Sequence, residues 1–375
     1  MRALIEIYGG DARGHEVLAH FNYVACNSGG SLVAAGLIEN LSLNTLMGLF
    51  TDARQRSRLF SELPWYRKSL LRLADLGPKY SAQQKLVGLK SLLQVNGATP
   101  LPKIVIVGND GQPVRFSFMT YDYQRDRAKH LRSFNSLAGS FGSGLTNMTL
   151  AEAVHASTNA PVNYFDAPAQ PDTPPANRMY WDGGITGYNN PVLAAVVEAI
   201  ANGSTPQSIG VLSLGTGTTF LPLADDGPFN PPCLGQAPPE RGTFADLRKL
   251  AKSVLADPPD AASFIAHMMI EGALPNAKCE AQPTPIVRMN PLIQPTRNAA
   301  GLWQLPKGLV ESEFRDLVKL DMDATAQAEV DLIQKLGDAW IANDVNNQPI
   351  RATTNMACEI GHPTFAAAKS AWAQL

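Results

Sequence analysis

Cysteine is scarce in this chain and scattered. The four present, Cys26, Cys233, Cys279 and Cys358, include no C-x-x-C pair, so neither a zinc site nor a disulfide framework is indicated and a reducing cytoplasm is the simplest home. An excess of one charge is also lacking. A net charge of -2 with a pI near 6.3 gives no electrostatic reason to expect a nucleic-acid partner. The densest basic run, Arg125 to Arg132 with Arg127, Lys129 and His130, includes Asp126 and reads as a solvated face or loop. No apolar run reaches the ~20 residues that span a bilayer, and the opening Met1–Tyr8 is a strand-like run without the long apolar body of a secretory signal. Any membrane contact is therefore expected to be peripheral. Internal repeats and low-complexity linkers are missing too, so a single domain over residues 1–375 is expected, and a hydrophobic content of 45% supplies a large core.

The stretch Phe21 to Gly36 is the one around which the chain is organised. Phe21, Tyr23, Val24 and Ala25 suit a buried strand; Leu32, Val33, Ala34, Ala35, Leu37 and Ile38 suit a buried helix. The hydrophobic period therefore changes across Asn27 to Gly30, with Ser28 at the apex. Such a turn holds its central residue in strained backbone geometry and asks for small residues two positions away on either side. Gly30 meets that requirement, and Cys26 is a small departure from it. Gly29 places a backbone N–H at the positive end of the new helix, where an oxyanion on a substrate attacked by Ser28 would form. Ser31 has Val33, not glycine, two positions on. The same pattern also serves as a plain connection or as a phosphate-binding loop.

Ahead of this turn, residues 2–8 lead into Gly9, Gly10, Asp11, Ala12, Arg13 and Gly14. A glycine-rich loop after a first strand lets backbone N–H groups converge on an anion. The dinucleotide reading fails, because a G-x-G-x-x-G frame opening at Gly9 puts Asp11 where a pyrophosphate must approach. An oxyanion loop, with Arg13 balancing Asp11, survives better. Only His15 to His20 separate this loop from the strand at Phe21, far fewer residues than a parallel crossover needs. Either the crossover is a stub or a segment is missing.

Further along, a helical stretch is expected from Leu43 to Leu93, punctuated by Pro64 and Gly77-Pro78. A hairpin is expected from Leu101–Gly108 through Asn109–Gln112 to Pro113–Phe118. Thr149, with Glu152 three residues on, opens a short helix by a capping box, and its His155 is taken as packing or surface in preference to a ligand. Pro171–Pro175 reads as a mobile loop. Arg178–Trp181 reads as a strand ending at Asp182-Gly183-Gly184, ahead of a helix started by Pro191. Gly210–Gly217 and residues 285–290 are strands. The Pro- and Gly-rich stretch 225–242 reads as a lid-like loop. Helices are expected at about 243–256, at 260–273 with the pair Met268 and Met269 read as core, and across 310–343. The alternation points to an α/β fold with helices on both faces of a sheet whose sites gather at strand ends.

A glycine loop, a serine elbow and a D-G-G after a strand, in that order, resemble the patatin-like phospholipase family. Gly9–Gly14 looks like its oxyanion loop, Cys26-Asn27-Ser28-Gly29-Gly30 like its G-x-S-x-G elbow, and Ala156–Pro161 like the segment before its aspartate strand. Asp182–Pro191 looks like its D-G-G/A aspartate and N-P helix start, and Leu212–Gly217 like a further strand. These motifs cover about residues 2–220; the helical part, about 221–375, carries none. The resemblance implies a three-layer α/β/α fold with a mostly parallel central sheet, and a lipid acyl hydrolase with a Ser28–Asp182 dyad. It further implies an oxyanion hole from Gly9, Gly10, Asp11, Arg13, Gly14 and Gly29, an acyl-enzyme intermediate, and no metal or cofactor. The implied partner is a phospholipid or other acyl lipid at a membrane surface. Homodimers and small-nucleotide or protein activators fit the resemblance, although no motif for them is present. Two rival readings remain: an α/β-hydrolase esterase with Ser28, Asp182 and either His267 or His362, and an inactive relative that holds a lipid or anion.

Overall fold

The computed structural model describes residues 1–63, 78–135, 147–173, 177–223, 229–237, 242–271, 284–320, 324–351 and 359–375. The chain divides into two compact units. The first comprises Ala3–Ile209 with Ser253–Ala262, the second Gly210–Lys252 with Ser263–Leu375.

The first unit opens with helix α1 (Arg2–Tyr8) where a strand was expected. In a strand Glu6 would share a face with Leu4 and Tyr8. The helix instead turns Glu6 to solvent, on the side away from the buried Ala3 and Leu4. Short helix α2 (Gly14–Leu18), strand β1 (Tyr23–Cys26) and helix α3 (Gly29–Ile38) follow, giving the strand-turn-helix read from the period change. Helices α4 (Leu43–Thr51), α5 (Ala53–Leu59) and α6 (Ala82–Leu92) account for the described part of the expected helical stretch; Pro64 and Gly77 lie outside the described residues. The expected hairpin keeps its turn but not its ladder. Gly108 N–H donates to Gln112 O and Val114 N–H to Ile106 O, yet Val105 and Val107 stand exposed and residues 104–107 form no strand. The true hairpin joins β2 (Arg115–Asp122) to β3 (Arg127–Arg132), so the basic run, expected as a solvated face or loop, ends in a strand whose first two residues are exposed. Helix α7 (Leu150–Ser157) carries the capping box of Thr149 and Glu152, and strand β4 (Tyr180–Asp182) and helix α8 (Val192–Ala201) complete the unit's regular elements. Asp172 and Thr173 are pinned by their N–H groups to the Glu152 carboxylate, which corrects the mobile-loop expectation for that part of Pro171–Pro175.

Strand β2 is central, and every residue from Phe116 to Thr120 is buried, so both its faces are covered. It pairs in parallel with β1 and in antiparallel with β3 and β4. The sheet is therefore mixed where a mostly parallel one was expected.

In the second unit, β5 (Val211–Leu214) pairs in parallel with a later strand, and β6 (Thr218–Thr219) follows it. Of the expected lid-like loop, residues 229–237 hold a 3-10 turn at Pro232–Leu234; 225–228 and 238–241 lie outside the described residues. Helix α9 (Thr243–Glu271) runs through Pro258 and Pro259, where two helices were expected; its middle, Ser253–Ala262, belongs to the first unit. Met269 is exposed and Met268 half-buried, so the pair does not form core. Strands β7 (Ile286–Met289), the partner of β5, β8 (Leu292–Ile293), the partner of β6, β9 (Thr296–Arg297) and β10 (Trp303–Gln304) follow. Helices α10 (Glu311–Lys319), α11 (Gln327–Ile341) and α12 (Phe365–Trp372) end the chain.

The glycine loop is stitched to the far end of α3. Gly14 N–H donates to Leu41 O, Leu43 N–H to Ala12 O, Asn44 N–H to Gly10 O, and His15 binds Ile38 O and Asn40. A Cβ at Gly14 would overlap the Leu37 backbone. Gly14→Ala is therefore expected to destabilise the protein by about 1–3 kcal/mol through overpacking, read from the midpoint of urea unfolding. An unchanged midpoint would show that the loop does not rest on α3.

Candidate active site

Strands β1 and β4 lie on one edge of β2 and run toward each other. Cys26, the last residue of β1, pairs with Phe118; Asp182, the last residue of β4, pairs with Thr120. Only Met119 lies between the two registers, so the turn after β1 and the end of β4 meet there. This brings Ser28 to Asp182.

Ser28 is the N-cap of α3 with φ 49 and ψ -125, a conformation that non-glycine residues avoid and that marks stored strain of about 1–3 kcal/mol. Its N–H is held by Ser157, through the carbonyl at 3.2 Å and Oγ at 3.3 Å. Ser157 Oγ in turn donates to Met119 O at 2.7 Å and lies 2.8 Å from Ser31 Oγ. Ser31 is thus fully buried support for the elbow and not a second nucleophile. Cys26 turns its thiol into the core toward Ser117 O, where burial pushes its pKa up to about 12 and keeps it protonated. A Cβ at Gly30 would meet Cys26 Cβ at 3.9 Å, an ordinary contact, so the cysteine fits the elbow without a clash.

Asp182 is 5% exposed. Its Oδ1 accepts Gly184 N–H at 2.8 Å and Asn27 Nδ2 at 3.1 Å, and the Ser28 side chain is near enough to lower the carboxyl's pKa. Burial pushes the pKa above the usual carboxylate range; these donors and the charge of Lys85 pull it back only in part. Asp182 N–H is held by Asn159 O at 2.9 Å. Glycine is required at 183, where a Cβ would lie 2.6 Å from Asn27 Oδ1 and 2.8 Å from the Met119 carbonyl carbon.

Among the described residues, Gly29 N–H, on the exposed first turn of α3, has no backbone acceptor and carries the positive end of the helix dipole. The other predicted donors are elsewhere. Gly9, Gly10, Asp11, Arg13 and Gly14 sit at the C-terminal end of α3, and ten helical residues separate that end from Ser28, about 15 Å at 1.5 Å per residue. Arg13 N–H is also occupied by the Glu16 carboxylate, and Asp11 is bound by Asn44. The loop follows a helix and not a strand, which is why it does not reach the elbow.

No described histidine hydrogen-bonds Ser28 or Asp182. His155 is buried, with burial and the charges of Lys85 and Lys90 pushing its pKa well down. His267, bound to Thr284 Oγ1, and His362 belong to the second unit. Among the described residues no cluster of His, Cys, Asp or Glu is arranged to hold a metal, and no helix is long and apolar enough to cross a membrane. Sequence reasoning missed Asn27, Ser157 and Asn159 as site residues, although two of them lie in the motif quoted before the aspartate strand.

Residues 1–196 match the sequence model of the patatin-like phospholipase family. No curated protein sequence matches the chain.

Because Asp182 binds its proton more tightly folded than unfolded, the folded state carries more protons between the ordinary carboxylate pKa of about 4 and the raised value, and stability falls as pH rises through that window. Asp182→Asn is expected to be more stable than the parent at neutral pH, with the difference vanishing below about pH 4. Thermal melts across pH 3–8, on the scale where carboxylates titrate, test this; a variant less stable at pH 7 contradicts it.

Proposed function

The chain belongs to the patatin-like phospholipase family, a family of lipid acyl hydrolases, and on that premise we propose that it cleaves lipid esters through a Ser28–Asp182 dyad. The observation that carries this reading is the strained Ser28, held at the N-terminus of α3 by the same turn, Ser157–Asn159, that holds the N–H of the buried Asp182.

In the first step Ser28 Oγ attacks the ester carbonyl while Asp182 takes the hydroxyl proton. The negative charge that develops on the carbonyl oxygen faces Gly29 N–H and the positive end of α3. Collapse expels the alcohol, which takes the proton back from Asp182, and leaves an acyl-Ser28 ester. Water, activated by Asp182, then attacks that ester, and the fatty acid leaves as Ser28 recovers its proton. Aspartate is ordinarily too weak a base for this exchange. Burial of Asp182 narrows the gap by raising its basicity, and strain and positioning supply the rest.

Ser28→Ala is expected to abolish both fluorophosphonate labelling and hydrolysis of a fluorogenic phospholipid. Asp182→Ala should lose about 10²–10⁴-fold in kcat, the usual worth of a positioned general base. Labelling that survives Ser28→Ala would remove the serine from the mechanism. A folded parent that is neither labelled nor active would favour the lipid- or anion-binding reading.

A further inference from the structure

Lys85 lies on the apolar stripe of α6, between Ala82 and Leu89, and is only 3% exposed. Its Nζ donates to His155 O and Thr158 Oγ1, each at 3.2 Å, and lies 4.0 Å from the centroid of the Phe165 ring. A buried amine must find such partners, and these sit at the C-terminal end of α7, where the helix dipole is negative. Among the described residues no carboxylate pairs with it directly. His155 is neutral by burial, Glu152 is spent on Thr149, Asp172 and Thr173, Asp166 holds Ala82 N–H, and Lys90 pairs with Asp172. Burial pushes the Lys85 pKa well down, and the charge of Asp182 opposes this.

We propose that Lys85 is the positioning residue of the dyad, tying down the terminal turn of α7 that holds Ser28 and Asp182. The inference rests on the dyad reading above. His155 stands two residues before Ser157, which receives Ser28 N–H; Thr158 stands between Ser157 and Asn159, which receives Asp182 N–H. One amine thus grips the turn on both sides of the residue that holds the nucleophile. A neutral amine supplies both donors, so this action does not require the charge.

The test uses Lys85→Met and Thr158→Val, each checked for folding by circular dichroism, with kcat and KM for fluorogenic phospholipid hydrolysis as the readout. Lys85→Met should lower kcat about tenfold or more with little change in KM, as misplacement does. Thr158→Val, which removes one of the two acceptors of the amine, should also lower kcat with little change in KM. A folded Lys85→Met with parental kcat overturns the proposal. If Lys85→Met does not fold, parental kcat in Thr158→Val overturns it. Full activity in Ser28→Ala would instead sink the dyad reading itself.

Discussion

Two strands that end head to head against β2 are the constraint on which the site depends. Ser28 and Asp182 are 154 positions apart in sequence, and no local motif brings them together. Register does. A one-residue slip of β1 or β4 along β2 would move its end by about 3.3 Å and turn every side chain to the opposite face, which would carry Ser28 or Asp182 out of reach. Three features pin the register. Phe116, Phe118 and Met119 are fully buried, Gly183 lets β4 approach Asn27 and Met119, and the end of α7 binds Ser28 N–H, Met119 O and Asp182 N–H together.

The terminal turn of α7 therefore does more than end a helix. Ser157 and Asn159 use groups that a helix end leaves unsatisfied to hold two strand ends, and Lys85 occupies the carbonyl and hydroxyl that remain. The backbone strain at Ser28 persists because its N–H, the next turn of α3 and the buried Ser31 are all fixed to this one turn. Strain of that kind survives only where its surroundings over-determine it.

Much of this was legible in the letters, and the failures have physical causes. The period change around Ser28, the capping box at Thr149 and the strand into Asp182 are local signals, and the structure has them. Residues 2–8 were misread because a seven-residue apolar run satisfies helix and strand alike, and the placement of the glycine loop followed that error. A loop that leaves a strand could have met the elbow; one that leaves α1 and packs on the end of α3 does not. The hairpin was displaced because Val105 and Val107 look like core but alternate outward. Lys85 left a signal that went unused, a lysine three residues after Ala82 on the stripe Ala82, Leu86, Leu89. Pairing across 154 residues left none.

On the dyad reading the buried aspartate faces opposed demands. To accept a proton from serine it should be basic, which burial favours; to be a base at all it must be ionised, which burial opposes. Asn27 and Gly184 donate to it and hold the charge, yet each such donor also lowers its basicity. Lys85 contributes differently: its amine holds the turn that binds Ser28 N–H and Asp182 N–H. The same arrangement explains why the acid is placed at the end of a strand and not in the middle. There Gly184, past the strand end, brings a backbone N–H within 2.8 Å of the carboxylate.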